Sequence, residues 1–231
     1  MAHPRDLVSL AVAAYSMSAV VDTCCALLEG DDRYDLLPVP LSYLGGAHAR
    51  AQVRRGDLAS RHQDHWPRVW GARGLRYAWL AYAEPPVVSG LGDPSWRVVE
   101  MAANVVALRE LGSAADSLAP LVRSPVLRVR VAVVRALGVI GEYEHAELLR
   151  GIADVDPRLL VAVDAALPGC DSGSIERCER AQVAAAPMSQ TTAASSAPAS
   201  SIKSARPPAR SAASADRHAT AWPRRRRRST M

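Results

Sequence analysis

Asp93-Pro94-Ser95-Trp96-Arg97-Val98 opens an apolar stretch that runs to Leu111 and halts at Gly112. Sliding the chain along itself finds related openings at Trp66-Pro67-Arg68-Val69, Ser124-Pro125-Val126-Leu127-Arg128-Val129 and Asp156-Pro157-Arg158-Leu159. The Arg-Val/Leu pairs begin at 68, 97, 128 and 158, so successive steps are 29, 31 and 30 residues. Self-similarity at a period of roughly 20 to 50 residues marks a chain assembled from stacked supersecondary units.

Each opening predicts a helix start. Asp93, Ser124 and Asp156 offer side-chain oxygens to orphan backbone N–H groups, and the proline that follows suits the first helical position, where no N–H partner exists. Ala/Val/Leu-rich stretches over 98–111, 129–140 and 159–167 come next, with Gly112, Gly141 and Pro168-Gly169 as their stops. Between a stop and the next proline lie shorter apolar segments, Leu118-Ala119-Pro120-Leu121-Val122 and residues 145–152, which read as the second helix of each pair. One such hairpin cannot bury its apolar face alone, so neighbours must stack. The expected fold is all-α, an α-solenoid of stacked helical hairpins.

The pattern Asp-Pro-x-x-Arg-Val, followed by an Ala-rich helix and Leu-Gly, resembles HEAT repeats of the short type found in phycobilisome lyase-like proteins. Trp66-Pro67-Arg68-Val69-Trp70-Gly71-Ala72-Arg73-Gly74-Leu75 is similar to a segment of bacterial HEAT-repeat proteins. The resemblance is good over 64–167, weaker over 4–63 and absent beyond 170. It implies stacked hairpins and, in most members, binding or scaffolding rather than chemistry. A bilin lyase, or a chaperone for a chromophore protein, is an alternative that rests on this family alone.

The organisation then falls into three parts. Residues 1–63 form an N-terminal helical cap or degenerate repeat: one long helix over 5–28 stopping near Gly30, a segment over 36–44 broken by Pro38 and Pro40, and a connection through Gly45-Gly46 and Arg54-Arg55-Gly56. The apolar run over 7–21 falls short of the roughly 20 residues that span a bilayer and meets Asp22, so it reads as a buried helix and no membrane span is expected. Residues 64–169 carry the repeats. Residues 170–231 read as a disordered basic tail, since 37 of the 51 residues over 181–231 are Ala, Ser, Pro or Arg without hydrophobic periodicity. The break near 170, where a further second helix is due, admits a frame-shifted or read-through extension as the tail's origin.

Composition agrees. The 231 residues are 49% apolar but only 5% aromatic, with no Phe, so the core is built from Leu, Val and Ala, which favours closely packed helices. Residues 1–167 hold 17 Arg against 19 Asp and Glu, whereas 168–231 hold 11 Lys and Arg against 4 acidic residues. The basic character therefore belongs to the tail, and the nearly neutral remainder argues against a large basic groove for nucleic acid. Lys occurs once, at Lys203, against 27 Arg, the imprint of GC-rich coding rather than of phosphate binding. Adjacent Cys24 and Cys25, with Cys170 and Cys178 beyond the repeats, make no disulfide scaffold and point to a reducing, cytoplasmic setting. No CxxC or HExxH spacing occurs, so no metal or other cofactor is expected.

The candidate site residues follow from the repeat. Arg68, Arg97, Arg128 and Arg158 recur once per unit and would stack along one edge, as a structural ladder joining cap carboxylates of their own or neighbouring repeats, or as contacts for an acidic groove or phosphates. His62, Asp64 and His65 crowd beside Trp66 but lack a distant third ligand, and read as loop and cap residues. Trp66, Trp70 and Trp96, with Trp79, supply most of the large aromatic surface; they suit inter-repeat packing, and any left partly exposed is a natural partner hot spot. Arg224, Arg225, Arg226, Arg227 and Arg228 form a run suited to a polyanion. No nucleophile, base and orienter stand at usable spacing. The expectation is a non-enzymatic protein- or peptide-binding scaffold, its groove on segments 114–123 and 143–152. The alternative is nucleic-acid binding through the tail, including an enzyme of the HEAT-like DNA glycosylase kind, similar in fold only.

Overall fold

Ser16 divides the apolar run that the sequence joins into one helix. The computed structural model describes residues 3–152 and 156–185, with side chains through Asp171. In it α1 spans Pro4–Tyr15 and α2 spans Met17–Leu28, and Ser16 between them takes φ 137° while its hydroxyl accepts the N–H of Ala19. A serine that caps the second helix competes with continuing the first. The break lets α2 bury almost its whole circumference, Val20, Val21, Cys24, Leu27 and Leu28 included, while α1 buries only Val8 and Ala11. The expected stop holds: α2 ends at Leu28 and Gly30 takes φ +87°.

Residues 34–60 contain only short pieces, as their prolines and glycines dictate: a 3₁₀ turn at Tyr34–Leu36, then α3 (Ser42–Gly45), α4 (Ala49–Arg54) and α5 (Asp57–Ser60). Thr23 ties this part to α2. Its hydroxyl donates to the carbonyl of Ala19 at 2.8 Å and accepts the buried N–H of Val39 at 3.2 Å.

The repeat region holds α6 (Trp66–Leu75), α7 (Glu84–Gly90), α8 (Trp96–Arg109), α9 (Ala115–Leu118), α10 (Leu127–Ile140), α11 (Tyr143–Arg150) and α12 (Pro157–Ala185). The long helices pack in chain order, α6 on α8, α8 on α10 and α10 on α12, while α2 takes the far side of α6. The shorter α7 packs on α8 and α11 on α12. Among the described residues there is no strand. The described residues belong to one compact unit.

Valine-rich helices such as α10, LRVRVAVVRALGVI, have modest intrinsic propensity, so burial must hold them. Val129, Ala132, Val133, Val134, Ala136, Leu137 and Ile140 are all buried on it. Small residues set how closely these helices approach. A Cβ on Gly71 of α6 would stand 2.5 Å from the carbonyl oxygen of Cys24 on α2, and one on Gly74 would meet the Cys24 Sγ. A Cβ on Gly138 of α10 would stand 2.6 Å from Ala166 of α12, and one on Gly169 would overlap the carbonyl of Gly138.

These helices differ from expectation in five places. Pro94 and Pro125 lie two residues before their helices, because Asp93 and Ser124 spend their side chains on turns, accepting the N–H of Ser95 (2.7 Å) and of Val126 (3.3 Å). α6 and α12 start as predicted, α6 at Trp66 with Pro67 in its first turn, and α12 with Pro157 first and Asp156 accepting the N–H of Arg158 at 2.8 Å. α8 stops at Arg109, with Glu110 rather than Gly112 in the left-handed conformation. The predicted second helix over 114–123 divides into α9 and a 3₁₀ segment, Ala119–Arg123, which contains Pro120. α12 runs through Pro168-Gly169 to Ala185, past the boundary drawn at 170; a helix-interior proline costs about 3 kcal/mol, but Cys170 beyond it is buried and its Sγ donates to the Leu137 carbonyl at 3.2 Å.

Candidate functional site

The recurring arginines stand where the long helices begin, but they do not all make the same contact. Arg68 at the start of α6 donates from Nε to Asp93 Oδ2 at 2.7 Å, reaching the turn that precedes the next repeat. The pair is well covered, 21% and 9% exposed. Arg128 at the start of α10 donates from Nε to Glu100 Oε1 of α8 at 2.9 Å. Arg97 makes a column instead: its guanidinium carbon lies 4.4 Å from the Trp96 ring centroid and 5.5 Å from that of Trp66, and Arg128 also lies 5.5 Å from Trp96. Such contacts give about 0.5–1 kcal/mol each at exposed sites. Arg158 keeps its guanidinium exposed.

The tryptophans are thereby absorbed into the ladder or the core. Trp66 and Trp96 are half-buried beneath arginines, and Trp70 is buried against Gly45, so it is no surface hot spot. His65, half-buried with its ring centroid 5.4 Å from that of Trp66, has a pKa below the ordinary 6.5, through burial first and then the charges of Arg97 and Arg68. Its Nε2 is buried without a hydrogen-bond partner. Among the described residues no group of His, Cys, Asp and Glu could hold a metal.

A second set of arginines, not singled out by the sequence reading, clasps the opposite ends of the helices. Arg109 in the last turn of α8 donates from Nη2 to the carbonyls of Leu75 (3.1 Å) and Arg76 (2.9 Å), closing the end of α6, and stacks 5.3 Å from Trp79. Arg73 near the end of α6 donates to the Leu44 carbonyl at 2.5 Å. The only signal in the sequence is a cation in a helix's last turn.

Beside the ladder lies an open groove of about 540 Å³, to which α8, α10 and α12 each contribute. Its lining joins aliphatic side chains, Leu127, Val131, Ala132 and Val161, to the polar Arg128, Arg135, Arg158, Glu100 and Asn104. The spacing follows from helix geometry: residues 128, 131, 132 and 135 share one face of α10, as 100 and 104 do on α8. Glu100 is committed to Arg128, and neither Arg135 nor Arg158 forms a side-chain ion pair among the described residues. The second segments, where the sequence reading placed the groove, hold a hollow of about 360 Å³ lined by Ser113, Asp116, Glu142, Glu144 and His145.

The thiols are inert by placement. Burial raises both Cys24 and Cys25, the latter to about 12 with help from Glu29 and Asp22, and Cys24, Cys25 and Cys170 are all buried. Arg224, Arg225, Arg226, Arg227 and Arg228 lie outside the described residues. Among the described residues, no helix is long and apolar enough to cross a membrane. No protein-family model, curated protein or solved structure matches the chain.

Proposed function

We propose that this chain is a non-enzymatic adaptor, an α-solenoid of the HEAT kind that holds a protein segment in the groove between α8, α10 and α12. One observation carries the reading: three successive repeats contribute side chains to one open trough with aliphatic residues in its lining. Large apolar residues stay in solvent on these helices, Val161 at 67% and Leu160 at 43% exposed on α12, with Leu108 and Val139 on α8 and α10. Stacking of the long helices supports the solenoid, and the arginine contacts at both helix ends would fix its curvature.

The test is site-specific photo-crosslinking of the full chain in its own host. A crosslinker replacing Val161 is expected to yield a discrete adduct with another polypeptide, whereas one replacing exposed Glu144 on α11 is not. Equal labelling from the two positions, or no polypeptide adduct from 161, would refute the reading.

A further inference from the structure

We infer that the groove takes an acidic peptide segment, one that presents carboxylates to the arginines and an aliphatic side chain to the aliphatic lining; this rests on the adaptor reading above. The argument is one of charge. Residues 1–167 are net acidic, 17 Arg to 19 Asp and Glu, yet the groove gathers three arginines around a single glutamate. Glu100 already holds Arg128, which Trp96 also steadies. The two remaining guanidiniums, Arg135 on α10 and Arg158 on α12, are exposed, have no ion-pair partner among the described residues, and belong to different helices. They therefore form a pair of charges held by the scaffold rather than one flexible cation. Carboxylate is the group a guanidinium fork matches most directly in a polypeptide, with two parallel N–H···O bonds.

The aliphatic lining decides between polypeptide and nucleic acid. Val131, Ala132 and Val161 offer aliphatic contact, which a sugar-phosphate backbone does not use. Base stacking would need a free aromatic platform, and Trp96 is engaged by Arg97 and Arg128. The trough falls within the usual range of ligand clefts, about 300–1,000 Å³, enough for a few side chains.

Fluorescence anisotropy with the full chain tests this against four labelled probes: a peptide alternating Glu and Leu, its twin with Lys for Glu, a neutral twin with Gln for Glu, and a single-stranded oligonucleotide. The Glu/Leu peptide is expected to bind best, to weaken with added salt, and to lose affinity about tenfold or more in R135E/R158E. Circular dichroism of that variant, and the single variants R135E and R158E, guard against a folding defect. Equal binding of the Glu and Lys peptides, or indifference to the double reversal, would overturn the acidic specificity. Should the neutral peptide bind as well as the acidic one and V161D abolish both, the inference fails while the adaptor reading survives. Oligonucleotide binding tighter than the Glu/Leu peptide's and lost in R135E/R158E would overturn both. Concentration-dependent self-association abolished by the same reversal would make a second copy the occupant and also refute the inference.

Discussion

Arg68 and Asp93 are 25 residues apart in the chain, and their side chains meet at 2.7 Å across the junction of two repeats. Asp93 serves twice, since its other oxygen accepts the N–H of Ser95 and shapes the turn into α8. Replacing Asp93 by Ala therefore removes an ion-pair partner and a turn bond together, and leaves a guanidinium only 21% exposed without its carboxylate. The expected loss is about 1–3 kcal/mol, read from the urea midpoint at unchanged slope. Asp93→Asn keeps an oxygen for the turn and should lose less. If both variants unfold with wild-type midpoints, the contact does not hold the repeats together.

The seam between α2 and α6 gives a sharper test. Gly74→Ala drives a methyl into the Cys24 Sγ, whereas Gly71→Ala drives one toward the Cys24 backbone oxygen. Each substitution is expected to cost about 1–3 kcal/mol by overpacking. Removing the sulfur should relieve only the first. In a double-mutant cycle Cys24→Ala is expected to recover part of the Gly74→Ala loss and none of the Gly71→Ala loss. Equal recovery in both would mean that the helices simply slide apart.

Burial of Cys24, Cys25 and Cys170, and the raised Cys24 and Cys25 values, predict slow chemistry at the thiols. In a Cys178→Ser background, the native chain should react with a disulfide reagent at mildly alkaline pH only as fast as it opens, and all three cysteines should react at once in denaturant. Rapid stoichiometric reaction of the native chain would contradict the packing around α2.

Much of this was readable in the repeat. The spacing of Arg68, Arg97, Arg128 and Arg158 placed the long helices, and Gly30 marked the end of α2. What the pattern missed were choices among equivalent local options. An aspartate before a proline can cap a helix or close a turn, and Asp93 does the second where Asp156 does the first. Glu110 accepts the left-handed position two residues before the glycine that seemed made for it. Pro168 reads as a stop from local rules alone, yet the packing of Cys170 and the Gly138 contact carry α12 beyond it. The trough between α8, α10 and α12 was not legible for a related reason: periodicity tells which residues share a helix face, not which face a neighbouring helix leaves open.

His65 makes the stability of the repeat region depend on pH in a defined direction. Its ring is half-buried beside Trp66, and the charges of Arg97 and Arg68 add to burial in keeping it neutral, against a smaller pull from Asp64 and Asp93. The folded-state pKa therefore lies below the 6.5 of the unfolded chain. Between the two values the unfolded state binds more protons, so His65 lowers stability as the pH falls through that window and leaves it undiminished above. Protonation would also place a donor on Nε2, which is buried without a hydrogen-bond partner. Unfolding free energies measured in urea at neutral pH and again below 6.5 should show a drop that His65→Leu reduces. Arg97→Gln, which takes away the larger of the two opposing charges, should reduce it in part. A drop of the same size in wild type and His65→Leu would assign the dependence to other groups.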